Sequence, residues 1–571
     1  MCTGPLGQGI SNAVGLAIAE RHLAAEFNES NFDIFDHFTY VICGDGCLQE
    51  GVSSEACSLA GHLGLGRLIV LYDDNKITID GDTSLSFTED VNKRYEAYGW
   101  HTQTVSDVET SLDELRAAIA KAKEVTDKPS IIKIKTTIGF GSKLQGHHSV
   151  HGAALKPDDL AGLKAKFGMP KDKQFFVADD VQQFFTKASE AGDSQRKSWE
   201  DLFKKYTAEY PEKAGEISRR FAGKLPDGLL DKLPSFEYGK DKEAATRKYS
   251  QMCLSKIGPN MPELVGGSAD LTPSNLTNYE DVVDFQKDSH EGRYIRFGVR
   301  EHGMVAVTNG IFAHGGLRPY CATFMVFSGY CIGAIRLSAL SKFGVIFVMT
   351  HDSIGLGEDG PTHQPIETLA SLRALPNLNV WRPADLNETA AAYQSGLEKR
   401  ETPTIIGCSR SGVAALELST REKAMKGAYA VIEEAEPDLI IISTGSEVGP
   451  CLKAAASLKE EGLKVRVVSM PCQEVFAEQP ESYKRELLPG TIPTLSVEAS
   501  AVFGWQHLSH DQIGMIEYGR SGAGKDVFEL FGFTPENIAS QAKVMVKFFK
   551  DAGSVPDLYL RPPSCNVLRE H

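Results

Sequence analysis

Two short strings, thirty residues apart, carry the clearest chemistry in this sequence. Gly44-Asp45-Gly46 follows the apolar run Phe38–Cys43, and Asp73-Asp74-Asn75-Lys76-Ile77 follows the run Leu68–Tyr72. Buried parallel strands read as such continuous apolar runs. Neighbouring strands would bring Asp45 and Asn75 to one carboxyl edge, where α/β sheets place their ligands. One carboxylate, one amide oxygen and a backbone carbonyl suit a hard cation that still needs phosphate oxygens. The flanking glycines let the backbone approach an anion. Gly-Asp-Gly alone is a common turn; the second string, with its spacing and strand context, gives the pair its weight.

Two other glycine motifs fail on inspection. Gly355-Leu356-Gly357-Glu358-Asp359-Gly360 has the G-x-G-x-x-G spacing, but two carboxylates inside the loop would repel a pyrophosphate, and Pro361 follows at once. Gly519-Arg520-Ser521-Gly522-Ala523-Gly524-Lys525 has the P-loop spacing, but Asp526 stands where Ser or Thr must meet Mg²⁺. The segment before it, His510–Gly514, reads as a poor strand. An ordinary polar turn is the expectation there.

Several further strings are distinctive: Gly4-Pro5-Leu6-Gly7-Gln8-Gly9, Gly266-Gly267-Ser268-Ala269-Asp270-Leu271-Thr272, Arg300-Glu301-His302-Gly303-Met304, and Thr350-His351-Asp352-Ser353 through Gly360-Pro361-Thr362-His363-Gln364-Pro365. In this order, over essentially the whole chain, they resemble the transketolase family of thiamine-diphosphate enzymes. The resemblance implies ketol transfer: a two-carbon unit passes from a ketose phosphate to an aldose phosphate, in a homodimer using thiamine diphosphate and Mg²⁺ or Ca²⁺. It implies that Asp45, Asn75 and the carbonyl of Ile77 hold the metal, with Gly46 and His151 near the diphosphate. Leu6, Ile138 and Leu271 would line the thiazolium and pyrimidine pocket, with Asp270 nearby. Phe324, Phe327 and Tyr330, three apart, are expected on one helix as the aromatic face for the pyrimidine; on spacing alone such a stripe reads as core. Glu301 would serve as the carboxyl beside the pyrimidine. Arg247, Ser274, His351 and Arg410 would surround a sugar phosphate, and Asp359 would bind a hydroxyl. His363 and His151 would serve sugar hydroxyls and proton transfers. Arginine supplies a planar donor fork for phosphate that lysine does not reproduce.

Family members carry a further stretch before the Gly-Pro-Leu-Gly-Gln-Gly loop, so the first domain is expected to be incomplete at its N-terminus. Pro471-Cys472-Gln473 and Phe503-Gly504-Trp505 also resemble dihydroxyacetone synthase, which implies formaldehyde as an alternative acceptor. A non-catalytic paralogue that pairs with a longer homologue is a third reading.

The elements that must position these residues read as three α/β domains in series with mostly parallel sheets, over 1–235, 236–420 and 421–571. The first and second would be thiamine-diphosphate-binding folds, followed by a C-terminal α/β domain. Residues 49–65 read as a crossover helix between two strands, and 131–134 as a third strand. Residues 155–235, rich in Lys, Asp, Glu and Phe, read as solvent-facing helices and a linker. At roughly one domain per 150 residues, 571 residues accommodate this division. Lys and Arg number 60 against 76 Asp and Glu, a formal charge of −16. An acidic surface of that kind argues against a general nucleic-acid binder. No run approaches the roughly 18 apolar residues of a membrane span. No basic or apolar leader precedes the first loop, and Leu568–His571 is no sorting tag of the usual kind. Eleven scattered cysteines read as reduced, packed thiols in a cytoplasmic protein.

Overall fold

The computed structural model describes residues 2–560; the Leu568–His571 tail lies outside the described residues. Fifteen strands form three separate sheets. The first contains β1 (Thr39–Gly44), β2 (Leu68–Asp74), β3 (His101–Val105) and β4 (Ser130–Lys135) in the order β1-β2-β4-β3, all parallel. The second contains β5 (Leu264–Ser268), β6 (Tyr294–Arg296), β7 (Arg318–Phe324), β8 (Ile346–Thr350), β9 (Asn379–Trp381) and β10 (Thr404–Cys408) in the order β6-β5-β7-β8-β10-β9. The third contains β11 (Tyr429–Ile432), β12 (Leu439–Ser443), β13 (Val465–Ser469), β14 (Thr494–Ala501) and β15 (Asp511–Met515) in the order β11-β13-β12-β14-β15, with β11 alone antiparallel. Helices between the strands complete three α/β domains, as their right-handed parallel crossovers require.

The chain divides into two compact units. One comprises Met1–Lys224, Val283–Arg293 and His302–Leu317; the other comprises Leu225–Val282, Tyr294–Glu301 and Arg318–His571. In the first unit the helix Gly51–His62 is the crossover between β1 and β2, as the sequence predicts. Gly7 starts the helix Gln8–Phe27 at φ 75°, and a Cβ there would lie 2.7 Å from the side chains of Glu50 and Val52, so only glycine fits. The helices Pro157–Lys166, Asp179–Glu209 and Pro211–Phe221 are largely exposed, in keeping with their charged composition.

In the second unit β5, β7, β8 and β10 are buried along their whole length, as strands covered on both faces are. Beneath the third sheet lies a charged network with almost no solvent contact. Arg382 Nε is 2.9 Å from Asp352 and its Nη1 pairs with Glu447, while Arg373 and Glu498 form a two-point pair at 2.7 and 2.8 Å.

Two expectations are corrected here. The segment expected to be a poor strand forms β15, pairing in parallel with β14. It is an edge strand, half-exposed and polar, so register with β14 rather than its own hydrophobicity makes it a strand. The aromatic trio expected on one helix spans three kinds of backbone: Phe324 ends β7, Phe327 lies in a 3₁₀ turn (Met325–Phe327), and Tyr330 lies in the helix Ser328–Leu340. All ten described cysteines are free, and eight are buried. Among the described residues no helix is long and apolar enough to cross a membrane.

Candidate active site

Parallel pairing fixes the first half of the site. Gly44 lies opposite Asp73 in the β1–β2 register, and Asp74 lies opposite Lys135 in the β2–β4 register. Asp45, Asn75 and the loop after β4 therefore leave the sheet at one edge. Asp45 is 3% exposed. Its Oδ1 accepts a short hydrogen bond from the Tyr72 hydroxyl, while its Oδ2 is buried without a partner. Burial pushes the Asp45 carboxyl above its ordinary range, and the Tyr72 bond works against that push. An acceptor oxygen that is buried and unmatched has a cost that a bound cation removes.

Around it the turn is shaped by the motif's own side chains, with Lys133 and Thr136 from β4 and the loop after it. Asn75 Oδ1 accepts from the Ile77 amide at 3.0 Å, and Asn75 Nδ2 donates to Asp73 at 3.2 Å. Lys76 bridges to Asp74 at 3.0 Å, Lys133 reaches the other Asp74 oxygen at 3.3 Å, and Thr136 donates to Asp73. Lys76 itself sits at φ 61°, turning the chain sharply after β2. Gly46 faces Leu6: a Cβ on Gly46 would fall 2.9 Å from Leu6 Cδ1. Nothing lies within 4 Å of where a Gly44 Cβ would stand, leaving the strand end open to an anion. Ile138 and His151 both belong to the loop after β4; Ile138 is half-buried and anchored through its carbonyl to Gly146 N at 2.8 Å, and His151 is exposed.

The second unit gathers most of the remaining predicted residues. Phe324 and Phe327 stack at 5.8 Å and 17°, and Phe327 meets Tyr330 at 6.0 Å. Tyr330 is 69% exposed, which is inconsistent with plain core packing. The His351 ring lies 3.8 Å from Phe324, and His363 packs edge-on against Phe327 at 5.2 Å. Arg247 donates from Nη1 to the Ser274 carbonyl at 2.8 Å, so its guanidinium is held beside the turn that begins at Asp270 and Leu271. Asp270 adopts φ 58° and His351 φ 61°, both in the left-handed region that an L-residue enters only under constraint. His351 is driven down to about 3 by burial first, then by Arg247, Arg410 and His363. Its imidazole is therefore neutral at physiological pH, in a pocket with two guanidinium groups. Arg410 is exposed and bonds the Leu356 carbonyl and Glu358, at 3.1 Å for the latter, while Asp359 is exposed in the same loop. Glu301 opens the helix Glu301–His314; burial raises its carboxyl above the ordinary range. Burial of this kind favours the protonated form of a carboxyl relative to one in water.

Motif reading missed Tyr72 and Thr136, which brace the acidic turn, and Glu55, whose Oε2 accepts from Gly303 N at 2.6 Å in the first turn of the helix Glu301–His314. It also missed Gln8, whose Nε2 lies 2.6 Å from His302 Nε2. Tyr72 could have been found from its alternation along β2: a polar-tipped ring two residues before Asp74 points to the same face. Among the described residues no cluster of three or more His, Cys, Asp or Glu side chains is arranged for a metal ion. A site with a single carboxylate, an amide and a carbonyl contains no such cluster.

Comparisons with known proteins were made against this geometry. Residues 1–226 match the transketolase thiamine diphosphate binding domain, 242–414 the transketolase pyrimidine binding domain, and 427–534 the transketolase-like C-terminal domain. The transketolase of Scheffersomyces stipitis is 50% identical over 562 residues, covering 97% of this chain and 83% of that protein. Transketolase 1 of Saccharomyces cerevisiae is 51% identical over 555 residues, covering 96% of this chain and 82% of that protein. Among solved structures, a Pichia stipitis transketolase in complex with sedoheptulose-7-phosphate superposes with a TM-score of 0.96 at 50% identity, over 98% of this chain and 83% of that one. Transketolase from Leishmania mexicana superposes with a TM-score of 0.95 at 49% identity, over 97% and 82%.

Proposed function

The chain belongs to the transketolase family, and from that premise we propose how its own residues carry out thiamine-diphosphate-dependent transfer of a two-carbon ketol unit between sugar phosphates. The observation that carries the reading is the buried, unmatched Asp45 oxygen at the sheet edge of the first unit; in the second unit, burial raises the carboxyl of the half-buried Glu301 above its ordinary range. Asp45, Asn75 and the Ile77 carbonyl would hold a divalent cation, Mg²⁺ or Ca²⁺, whose charge would offset that of the diphosphate. In the first unit Gly46 and His151 would meet the diphosphate and Leu6 and Ile138 the cofactor rings; in the second unit Leu271, with Asp270 beside it, would meet those rings. Phe324, Phe327 and Tyr330 offer the aromatic face.

The chemistry that bound thiamine diphosphate supplies is an electron sink for the carbon–carbon bond broken in the ketose. Glu301 would hold and exchange a proton at the pyrimidine ring nitrogen; burial raises its carboxyl above the ordinary range, which favours the protonated form that such a role uses. Arg247 and Arg410, with Ser274, take the phosphate of the sugar. His351, kept neutral by burial and by both arginines, offers a hydrogen bond to the sugar without adding charge. Asp359 accepts from a hydroxyl, and His363 and His151 move protons at the sugar oxygens. Crystal forms of relatives with xylulose-5-phosphate and sedoheptulose-7-phosphate support substrates of this class. We further propose domain boundaries at 235/236 and 420/421, a homodimer with the site shared between subunits, and a cytoplasmic location.

The test is Glu301→Gln, which keeps size and burial but removes the exchangeable proton. Turnover of a ketose phosphate with an aldose phosphate should fall by about 10²- to 10⁴-fold, the usual worth of a positioned acid–base group. Thiamine diphosphate binding, read by calorimetry, should remain. Near-normal turnover by this variant refutes the assignment.

A further inference from the structure

The two glycine motifs that fail as nucleotide loops pack against each other. Residues 353–364 hold Asp359 and His363 in a run of tight turns: one 3₁₀ turn (Ile354–Leu356), the positive-φ glycines Gly357 and Gly360, and backbone bonds from Gly360 N to the Gly357 carbonyl and from His363 N to the Gly360 carbonyl at 3.1 and 3.0 Å. Neighbouring segments hold these turns from two sides. On one side Arg410 bonds Leu356 and Ser411 Oγ donates to the Gly355 carbonyl at 2.9 Å. On the other side lies the third domain. A Cβ on Gly524 would stand 2.6 Å from the Gly355 carbonyl, one on Gly357 would stand 3.1 Å from Gly524 N, and one on Gly355 would meet the Phe528 ring at 2.5 Å.

Gln364 closes this contact. It is 2% exposed, and its Nε2 donates to the Gly357 carbonyl at 3.1 Å and to the Arg520 carbonyl at 2.9 Å, one from each loop. Gly519 leaves room for that amide: a Cβ there would lie 2.8 Å from Gln364 Cδ. Two residues on, the Ile366 carbonyl accepts from Ala501 N at 2.8 Å and from Ser500 Oγ at 2.7 Å, both on β14. Gly524 thus serves close approach to the backbone of the neighbouring loop and Gly519 makes room for the Gln364 side chain, where a P-loop would use glycines to approach phosphate.

We propose that the C-terminal domain is a positioning element for substrate, with Gln364 as its clamp: the 519–528 turn and β14 hold the 353–364 segment so that Asp359 and His363 meet the sugar. This rests on the function proposed above. Gln364 is a positioning residue: its amide nitrogen is spent on backbone carbonyls of both loops, while its Oε1 is buried without a hydrogen-bond partner.

The experiment uses the full chain and the variants Gln364→Met, which keeps length and burial without the amide, and Gly524→Ala, which pushes the loops apart. Two readouts are taken. Hydrogen–deuterium exchange across 353–364 should speed up in both variants. The KM for the ketose phosphate should rise by about tenfold or more, because small displacements of positioning groups are costly, with thiamine diphosphate affinity unchanged. If wild-type enzyme turns over and both variants show wild-type exchange and KM, or lose kcat alone in proportion to misfolded protein, the clamp is refuted while the function stands. If wild-type enzyme shows no ketol transfer, the functional reading falls, and the exchange data still decide whether the third domain holds this loop.

Discussion

Tyr72→Phe is the sharpest test of the metal edge, because it removes one oxygen and leaves the ring in place. In the native fold the Tyr72 hydroxyl donates to Asp45 Oδ1 and lies 3.3 Å from Asp74 Oδ1. The variant leaves Asp45 buried with neither oxygen matched, since Oδ2 already has no partner. A hydrogen bond to a charged group contributes about 1.5–3 kcal/mol, and each ~1.4 kcal/mol is tenfold in affinity. Thiamine diphosphate binding at fixed Mg²⁺ should therefore weaken by roughly 10- to 150-fold, as measured by calorimetric titration. Far-ultraviolet circular dichroism should be unchanged, and raising Mg²⁺ should restore much of the binding, because the lesion is in the carboxylate that faces the cation. A dissociation constant within about twofold of wild type, at the same Mg²⁺ dependence, would show that Asp45 does not face the cation or that Tyr72 does not orient it.

The remaining predictions concern stability. His314 is held down to about 4 by burial, and its ring stacks on His37 at 5.0 Å. The unfolded chain takes up a proton here below about 6.5 while the native chain does not, so stability is lost as pH falls from about 6.5 towards 4. His314→Phe should make the fall in melting temperature between pH 7 and pH 5 shallower by about one proton's worth; an unchanged slope would refute the burial argument. Arg382→Met leaves Asp352 and Glu447 buried without their shared cation. Removing one partner of such a cluster costs about 3–5 kcal/mol, so calorimetry should show the transition of the second unit at clearly lower temperature, and an unchanged thermogram would contradict it.

The division between what is legible in the chain and what is not follows from the range of the forces involved. Asp45 and Asn75 could be paired from sequence because both follow apolar runs, and parallel register then leaves little freedom at the strand ends. The long strands were legible for the same reason: residues buried on both faces must be apolar along their length. β15 was not, because an edge strand is selected by its neighbour's backbone groups, and its own residues are polar and half-exposed. The aromatic trio shows the limit of periodicity. A spacing of three suggests one helix, yet the rings converge from a strand end, a 3₁₀ turn and a helix.

By itself the sequence determined the class of each sheet, the residues at the ends of β1 and β2 and, through its strings of motif residues, the family. Only the tertiary structure decided which groups hold those residues in place. Tyr72, Glu55 and Gln364 act through hydrogen bonds that reach partners 27, 248 and up to 156 residues away. No local pattern encodes such contacts, because a hydrogen bond depends on geometry within a few tenths of an ångström. The same holds for the paired glycine loops. Each resembles a nucleotide motif when read alone, and the packing of one on the other turns both into a joint beside Asp359 and His363.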